Sequence, residues 1–425
     1  MKNNRKNLPN PVGGSAISVL IIVLFIISSP TVLEITQSAI INNIMIPFLF
    51  GFIIFTYVIV QKVRVSVRSF VILISFIVLL LITVSINQSS GYFSDLKHIT
   101  TNYVCLVVML LLLFLRPTLK VYDSLLLFKG VVGFGVIESI LGICQFILKK
   151  PLIPIDYHGN PIVSSIYYIP GQGGTGDVAA LTGNYMIRAF GTMGSGLGLG
   201  ILVLVSLAIV QTWKPTKNVL LLKIFFSLTV LATLTTTIII GLFVYFFVVL
   251  IIKLRKQLLS FMFYGLWFMG ISTQIVLASL PQSFLDLVPT LMSRFDGIRY
   301  YYSVLHFSVV NTLFGQNFSN RWLSLANATT NINGRYVVDN FYMYVFYDLG
   351  LLGLLIIFLA HRNIFKMLLD KNNISFISLN LSLLVIGFAN NISYAIGIFG
   401  VVSLFATTQS FVNSSRQERK KSYEQ

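Results

Sequence analysis

Charge is scarce in this sequence, and negative charge is scarcest. Its 425 residues include 13 Asp and Glu, and charged residues of both signs make up 10%. A water-soluble domain typically carries about 25%, so a soluble globular surface is excluded. There are 2 cysteines, Cys105 and Cys144, with no CxxC neighbour and no metal-type spacing. That excludes a disulfide framework and a thiolate metal centre, and both read as small buried apolar residues. There are 4 histidines, and no HExxH, DxD or P-loop pattern occurs, so neither metal nor nucleotide chemistry is indicated. No internal repeat is evident, which weighs against an inverted-repeat transporter.

What the chain does have is apolar length: 56% hydrophobic residues and a mean hydropathy of +0.85. Runs of roughly 17–25 apolar residues can cross a bilayer as helices. The pattern predicts spans at 15–33, 43–60, 69–86, 99–115, 129–148, 188–212, 218–234, 236–252, 261–280, 340–360, 374–391 and 393–411. The expected fold is an all-α polytopic integral membrane protein, one membrane domain over 1–425 with about twelve transmembrane helices. No small-residue cleavage site follows the first run, so it reads as a retained span. As one helix, 218–252 would be about 53 Å long, too long for a bilayer. The threonines at 233, 235, 236 and 237 mark the break.

The net charge of +17 reports orientation. Basic residues fall on alternate connections: Lys2, Arg5 and Lys6; Lys62, Arg64 and Arg68; Arg116, Lys120 and Lys129; Lys214, Lys217 and Lys223; Lys253, Arg255 and Lys256; Arg362, Lys366 and Lys371; Arg416, Arg419, Lys420 and Lys421. Only Lys97, Lys149, Lys150, Arg188, Arg294, Arg299, Arg321 and Arg335 fall elsewhere. The positive-inside rule then predicts both termini in the cytoplasm and no nucleic-acid partner. Two long loops, 149–187 and 281–339, are expected on the extracytoplasmic side.

Polar residues inside spans narrow the site. Glu138, Gly142 and Gln145 share a face of the fifth span, which must point into the bundle. Two readings stand: a relay or substrate contact, or a hydrogen-bonding peg between helices. Asp348 is a similar case in the outer half of the tenth span. The sixth span opens at Arg188, followed by Gly191, Gly194, Gly196, Gly198 and Gly200. An arginine on the sparse side points to an anionic partner, and guanidinium grips phosphate in two-pronged fashion; the alternative is a snorkelling interfacial arginine.

In the second loop, 297–311 is expected to be an amphipathic helix. Arg299, Tyr302, Ser303 and His306 share one face, with Arg294 just upstream and a Phe314–Gly315 turn downstream. His306 reads either as a satisfied polar residue or as a catalytic one. Asp339 is expected at the outer mouth of the tenth span. It would act as an N-cap, as a carboxylate facing a sugar hydroxyl, or as both. Asn340 and Tyr342 follow.

These motifs, in this order, resemble the O-antigen polymerase and ligase superfamily of bacterial envelope glycan assembly. The resemblance rests on Glu138-x6-Gln145, Arg188-x-x-Gly191 heading a Gly-rich span, Arg299 and Tyr300 before Phe314–Gly315, and Asp339, Asn340 and Tyr342 before Gly350 and Gly353. It covers roughly 130–410. Ligases of the family have a histidine at the position of Asp339, which tilts the resemblance toward polymerase. Many members carry Ser-Arg near the start of the eighth span, where this chain has Thr235–Thr237.

The resemblance implies a metal-independent inverting glycosyltransferase of the cytoplasmic membrane, without cofactor. Donor and acceptor would be undecaprenyl-pyrophosphate-linked glycans, with membrane lipids, a chain-length regulator and a flippase as partners. Arg188, Arg299 and Asp339 would be catalytic. Arg294, Tyr302, His306, Asn340 and Tyr342 would bind substrate, together with Glu138 and Gln145. The competing classes are a lipid-linked-oligosaccharide flippase or other transporter and a ligase-type transferase.

Overall fold

The computed structural model describes residues 66–88, 91–115, 121–150, 186–193, 195–251, 256–279, 289–305, 308–321, 338–392 and 395–407, with Leu49, Leu152 and three strand fragments of the first loop. The predicted span 15–33, the span 43–60 apart from Leu49, and His306 lie outside them.

The described residues are 83% helical. In chain order the helices are α1 (Val67–Ile86), α2 (Tyr92–Asn102), α3 (Val104–Leu115), α4 (Val121–Leu148), α5 (Gly196–Gln211), α6 (Lys217–Ala232), α7 (Thr236–Ile251), α8 (Lys256–Ser279), α9 (Pro289–Val304), α10 (Val309–Phe314), α11 (Phe341–Asp370), α12 (Ile374–Ile386) and α13 (Ala395–Thr407). Three are long and apolar enough to cross a membrane: Val67–Ile86, Leu125–Leu148 and Phe341–Asp370. In α1, Ile72, Phe76, Leu79 and Val84 are buried while Phe70, Ile74, Val78 and Leu81 are exposed. A helix apolar on both its buried and its exposed faces suits lipid outside and protein inside. The chain is thus compatible with a helical membrane protein.

Close approaches at glycines fix the helix directions. A Cβ on Gly142 of α4 would meet Leu199, and one on Gly135 would meet Ser206, so α4 and α5 are antiparallel. Gly200 abuts Ile238 and Gly241 abuts Leu204, so α5 and α7 run parallel. Phe226 lies with Ser206 beside Gly135, and Ala232 O accepts from Ala189 N–H. α6 therefore runs against α5, and α6 and α7 form a hairpin broken at Thr233–Thr235. Gly241 also abuts Ile386, and Asn390 donates to Thr237, making α12 antiparallel to α7. Gly397 and Gly400 meet Cys105 and Met109, so α13 runs parallel to α3, and the start of α1 bonds to Phe114 near the end of α3. The C-terminal ends of α1, α4, α6 and α12 and the N-terminal ends of α3, α5, α7 and α13 thus gather at one end of the bundle.

α11 is not one rod. Gly350 has φ 69° and ψ −168°, outside the helical region. A straight helix would hold residues 342 and 361 about 28 Å apart. Yet the Trp267 indole lies 5.4 Å from the Tyr342 ring and 6.0 Å from the His361 ring. Residues 341–349 therefore fold back beside 351–370, an arm that still has the roughly 30 Å needed to span a bilayer.

Candidate functional site

Arg188 follows a short antiparallel pairing of Tyr167–Tyr168 with Met186–Ile187. The sixth predicted span does not begin here. Residues 188–193 are irregular, and α5 starts at Gly196 with Ser195 as N-cap, its hydroxyl accepting from Gly198 N–H at 3.1 Å. The cause is Gly191, whose φ of 58° breaks helical continuity.

The turn that follows Arg188 sits in a socket on α4. Glu138 accepts from Thr192 N–H at 2.7 Å and from the Thr192 hydroxyl at 2.6 Å. Gln145 accepts from Gly191 N–H at 2.8 Å and donates to Gly191 O at 2.9 Å. Between them, Gly142 leaves room for Ala189 and Leu199. The shared face of Glu138, Gly142 and Gln145 therefore points into the bundle, and its hydrogen bonds go to the backbone and side chain of this turn. The peg reading describes these bonds, with the turn rather than a helix as partner.

From that turn a line of contacts leads to Asp339. Gly196 packs on Thr233 and Thr235 at the α6–α7 break. One turn on, the Thr237 hydroxyl accepts from Asn390 at 2.6 Å. In the same α12–α13 connection, Phe388 O accepts from Asn340 Nδ2 at 2.8 Å and Gly387 O accepts from Phe341 N–H at 2.9 Å. Asn340 is the N-cap of α11, accepting from Met343 N–H at 2.9 Å, with half-buried Asp339 beside it. Because 341–349 folds back, Asp339 and Asn340 lie level with the middle of 351–370, about 13 Å along the helix from Gly350. Tyr342 is fully buried, and its hydroxyl donates to Leu384 O at 3.2 Å.

The second loop approaches the same end of the bundle. The amphipathic helix is displaced from its expected bounds: α9 ends at Val304, and a separate short α10 starts after Ser308, which caps Asn311 N–H. The expected polarity holds, with Ile298, Tyr301 and Leu305 buried, Arg299 half-buried and Tyr302 and Ser303 exposed. Arg294 lies on the same helix. Burial, with Tyr300 adjacent, pushes the Tyr301 phenol up to about 12.

After α10 the chain turns at Gly315 (φ 77°) and seats itself on the break in α11. Gln316 N–H donates to Tyr347 O at 2.9 Å, and Asn317 N–H to Asp348 O at 3.2 Å. These are carbonyls that a broken helix leaves without partners. Asp348 Oδ1 accepts from Ser319 N–H at 2.9 Å. Thr83 donates to Phe314 O at 2.6 Å and Asn87 to Gly315 O at 3.0 Å. His98 donates to Ser319 O at 3.1 Å, and Asn320 bonds to Asp95. Since Thr83 and Asn87 end α1, this turn is at the end of the bundle that also carries Arg188.

The structure therefore brings Glu138 and Gln145 to the Arg188 turn, and Asn340 and Asp339 to the connection that touches the Thr233–Thr237 break. Arg299 and Tyr302 sit on the neighbouring loop helix. Thr192, Asn390, Asn317 and Asp95 were missed, though a polar pair such as Asn390–Asn391 in an apolar run was a usable signal. Among the described residues no three His, Cys, Asp or Glu side chains gather to hold a metal ion. No protein-family model matches the chain, and no curated protein matches it. Arg188, Arg299 and Asp339 are each half-buried.

Proposed function

We propose that the protein is a polymerase. It would join undecaprenyl-pyrophosphate-linked oligosaccharide repeat units into a surface polysaccharide on the outer face of the cytoplasmic membrane. The observation that carries this reading is the line of contacts from the Arg188 turn through Thr233–Thr237 and Asn390 to the Asp339–Asn340 cap, with the Arg299 helix packed on the folded-back arm that this cap opens. The ordered family-like motifs and the charge asymmetry of the connections support the same side for all three.

In this reading the acceptor's sugar hydroxyl attacks the anomeric carbon of the donor glycan. The bond from that carbon to the pyrophosphate oxygen breaks, and the configuration inverts. Arg188 and Arg299 stabilise the charge on the departing pyrophosphate. Asp339 orients the acceptor hydroxyl or takes its proton. Glu138 and Gln145 serve by holding the Arg188 turn. The test is to incubate the purified protein with lipid-linked repeat units: a ladder of lengthening glycans is expected, and unchanged single units would overturn the reading.

The break in α11 favours a second reading, since discontinuous helices often line substrate sites in transporters. Loss of a flippase leaves lipid-linked units on the inner face, whereas loss of a polymerase leaves single units on the outer face.

A further inference from the structure

We propose that Asp348 is a positioning residue that docks the second loop onto the broken helix α11 and thereby sets Arg299; its effect on catalysis rests on the polymerase reading, whereas the docking itself does not.

Asp348 is fully buried, and its carboxylate is bordered by the hydroxyls of Tyr103 and Ser319. A carboxylate in such a place must be bonded, and its described backbone donor is Ser319 N–H at 2.9 Å, 29 residues away in sequence. The carbonyls of Tyr347 and Asp348 take the amides of Gln316 and Asn317. Side chain and backbone thus grip three of the four residues 316–319.

The fourth residue, Phe318, transmits the grip. Its ring lies 4.9 Å from Tyr301 on α9 and 5.8 Å from both Tyr344 and Tyr347 on the folded-back arm. Tyr347 completes the path, its hydroxyl donating to Ile298 O at 2.9 Å. Ile298 and Tyr301 flank Arg299 on the buried side of α9. Shifting 316–319 therefore shifts the packing beneath Arg299, although Asp348 has no described contact with that residue.

The distinction from a simple core residue lies in what substitution does. An asparagine at 348 still offers an oxygen to Ser319 N–H, and its NH2 suits the neighbouring hydroxyls. An alanine removes the acceptor and leaves the amide buried and unpaired. Ser319→Pro removes the same bond from the other side at a first-turn position that tolerates proline, and Ser319→Ala keeps it.

The experiment is hydrogen–deuterium exchange on the purified full chain in detergent, paired with polymer-formation kinetics. Asp348→Ala and Ser319→Pro should speed amide exchange across 313–321 at least about tenfold. Asp348→Asn, Ser319→Ala and Arg299→Ala should leave it unchanged. Asp348→Ala should also lower kcat and kcat/KM for the lipid-linked donor about tenfold with KM nearly kept, and Asp348→Asn should restore them. Unchanged exchange in Asp348→Ala, or in Ser319→Pro should the alanine variant not fold, would overturn the docking. Faster exchange with a wild-type kcat would overturn the positioning role. Wild-type protein that forms no polymer would sink the polymerase reading, while the exchange comparison still decides the docking.

Discussion

Gly315 and Gly350 meet backbone to backbone at the break in α11. A Cβ placed on Gly350 would stand 2.5 Å from the Gly315 nitrogen. Each residue also has positive φ, 77° and 69°, so a side chain at either is strained as well as crowded. Gly350→Ala and Gly315→Ala should each destabilise the protein by roughly 2–4 kcal/mol. The check is thermal unfolding of the purified variants; a melting temperature within a degree of wild type would mean that the break does not need this contact.

The Glu138 socket makes a graded prediction. Glu138→Gln keeps an acceptor for Thr192 and should retain most polymer formation. Glu138→Ala leaves the Thr192 amide and hydroxyl unpaired, at a cost of about 1–3 kcal/mol for each buried group. Gly191→Ala should be as harmful, because a Cβ there would strike the Glu138 carboxylate. Comparing polymer length and membrane protein level across the three decides it: an inactive but fully stable Glu138→Gln would mean that the carboxylate's charge acts on substrate directly.

Arg188→Ala and Arg299→Ala should each abolish or severely reduce polymer formation while protein levels stay near normal. Lysine should rescue only in part, since an ammonium cannot present the planar fork of guanidinium to a phosphate. Full activity in Arg188→Ala would reduce that residue to an interfacial anchor.

Asp339 and its neighbour separate capping from chemistry. Asn340 makes the cap hydrogen bond to Met343 N–H, so Asp339 is not needed for it. Asp339→Asn should therefore cost little stability and accumulate single repeat units. Asn340→Ala should destabilise by about 1 kcal/mol. Wild-type chain lengths in Asp339→Asn would remove that residue from the mechanism.

Sidedness has its own test. Cysteines placed at Ser164 and Asn327 should be labelled from outside the intact cytoplasmic membrane, as the basic-residue bias requires. Labelling only after that membrane is permeabilised would reverse the orientation.

Several features were legible along the chain because their causes are local. Apolar runs mark the helices, since hydropathy adds up residue by residue. The threonine cluster marks the break between α6 and α7, where Leu234 adopts φ 47° and Thr235 turns back on Thr233 O at 3.1 Å. The 3.6-residue period put Glu138, Gly142 and Gln145 on one face, and that face is indeed buried. The start of α5 was misread because apolarity continues through Phe190 and Met193, while the backbone is governed by Gly191. The end of α9 was misread because the amphipathic period runs on past Val304, where the helix ends.

The sequence by itself determined a helical, apolar, basic-sided chain and named the polar residues that a membrane helix cannot leave unpaired. Tertiary structure decided the partners. Glu138 finds Thr192 at a separation of 54 residues, and Asp348 finds Ser319 at 29. It also decided that α11 turns back at Gly350, which sets Asp339 beside the middle of 351–370, a nine-residue arm away from the break. A glycine only permits such a turn. What makes it form is the amides of Gln316 and Asn317 arriving from another segment to take the carbonyls that the broken helix exposes.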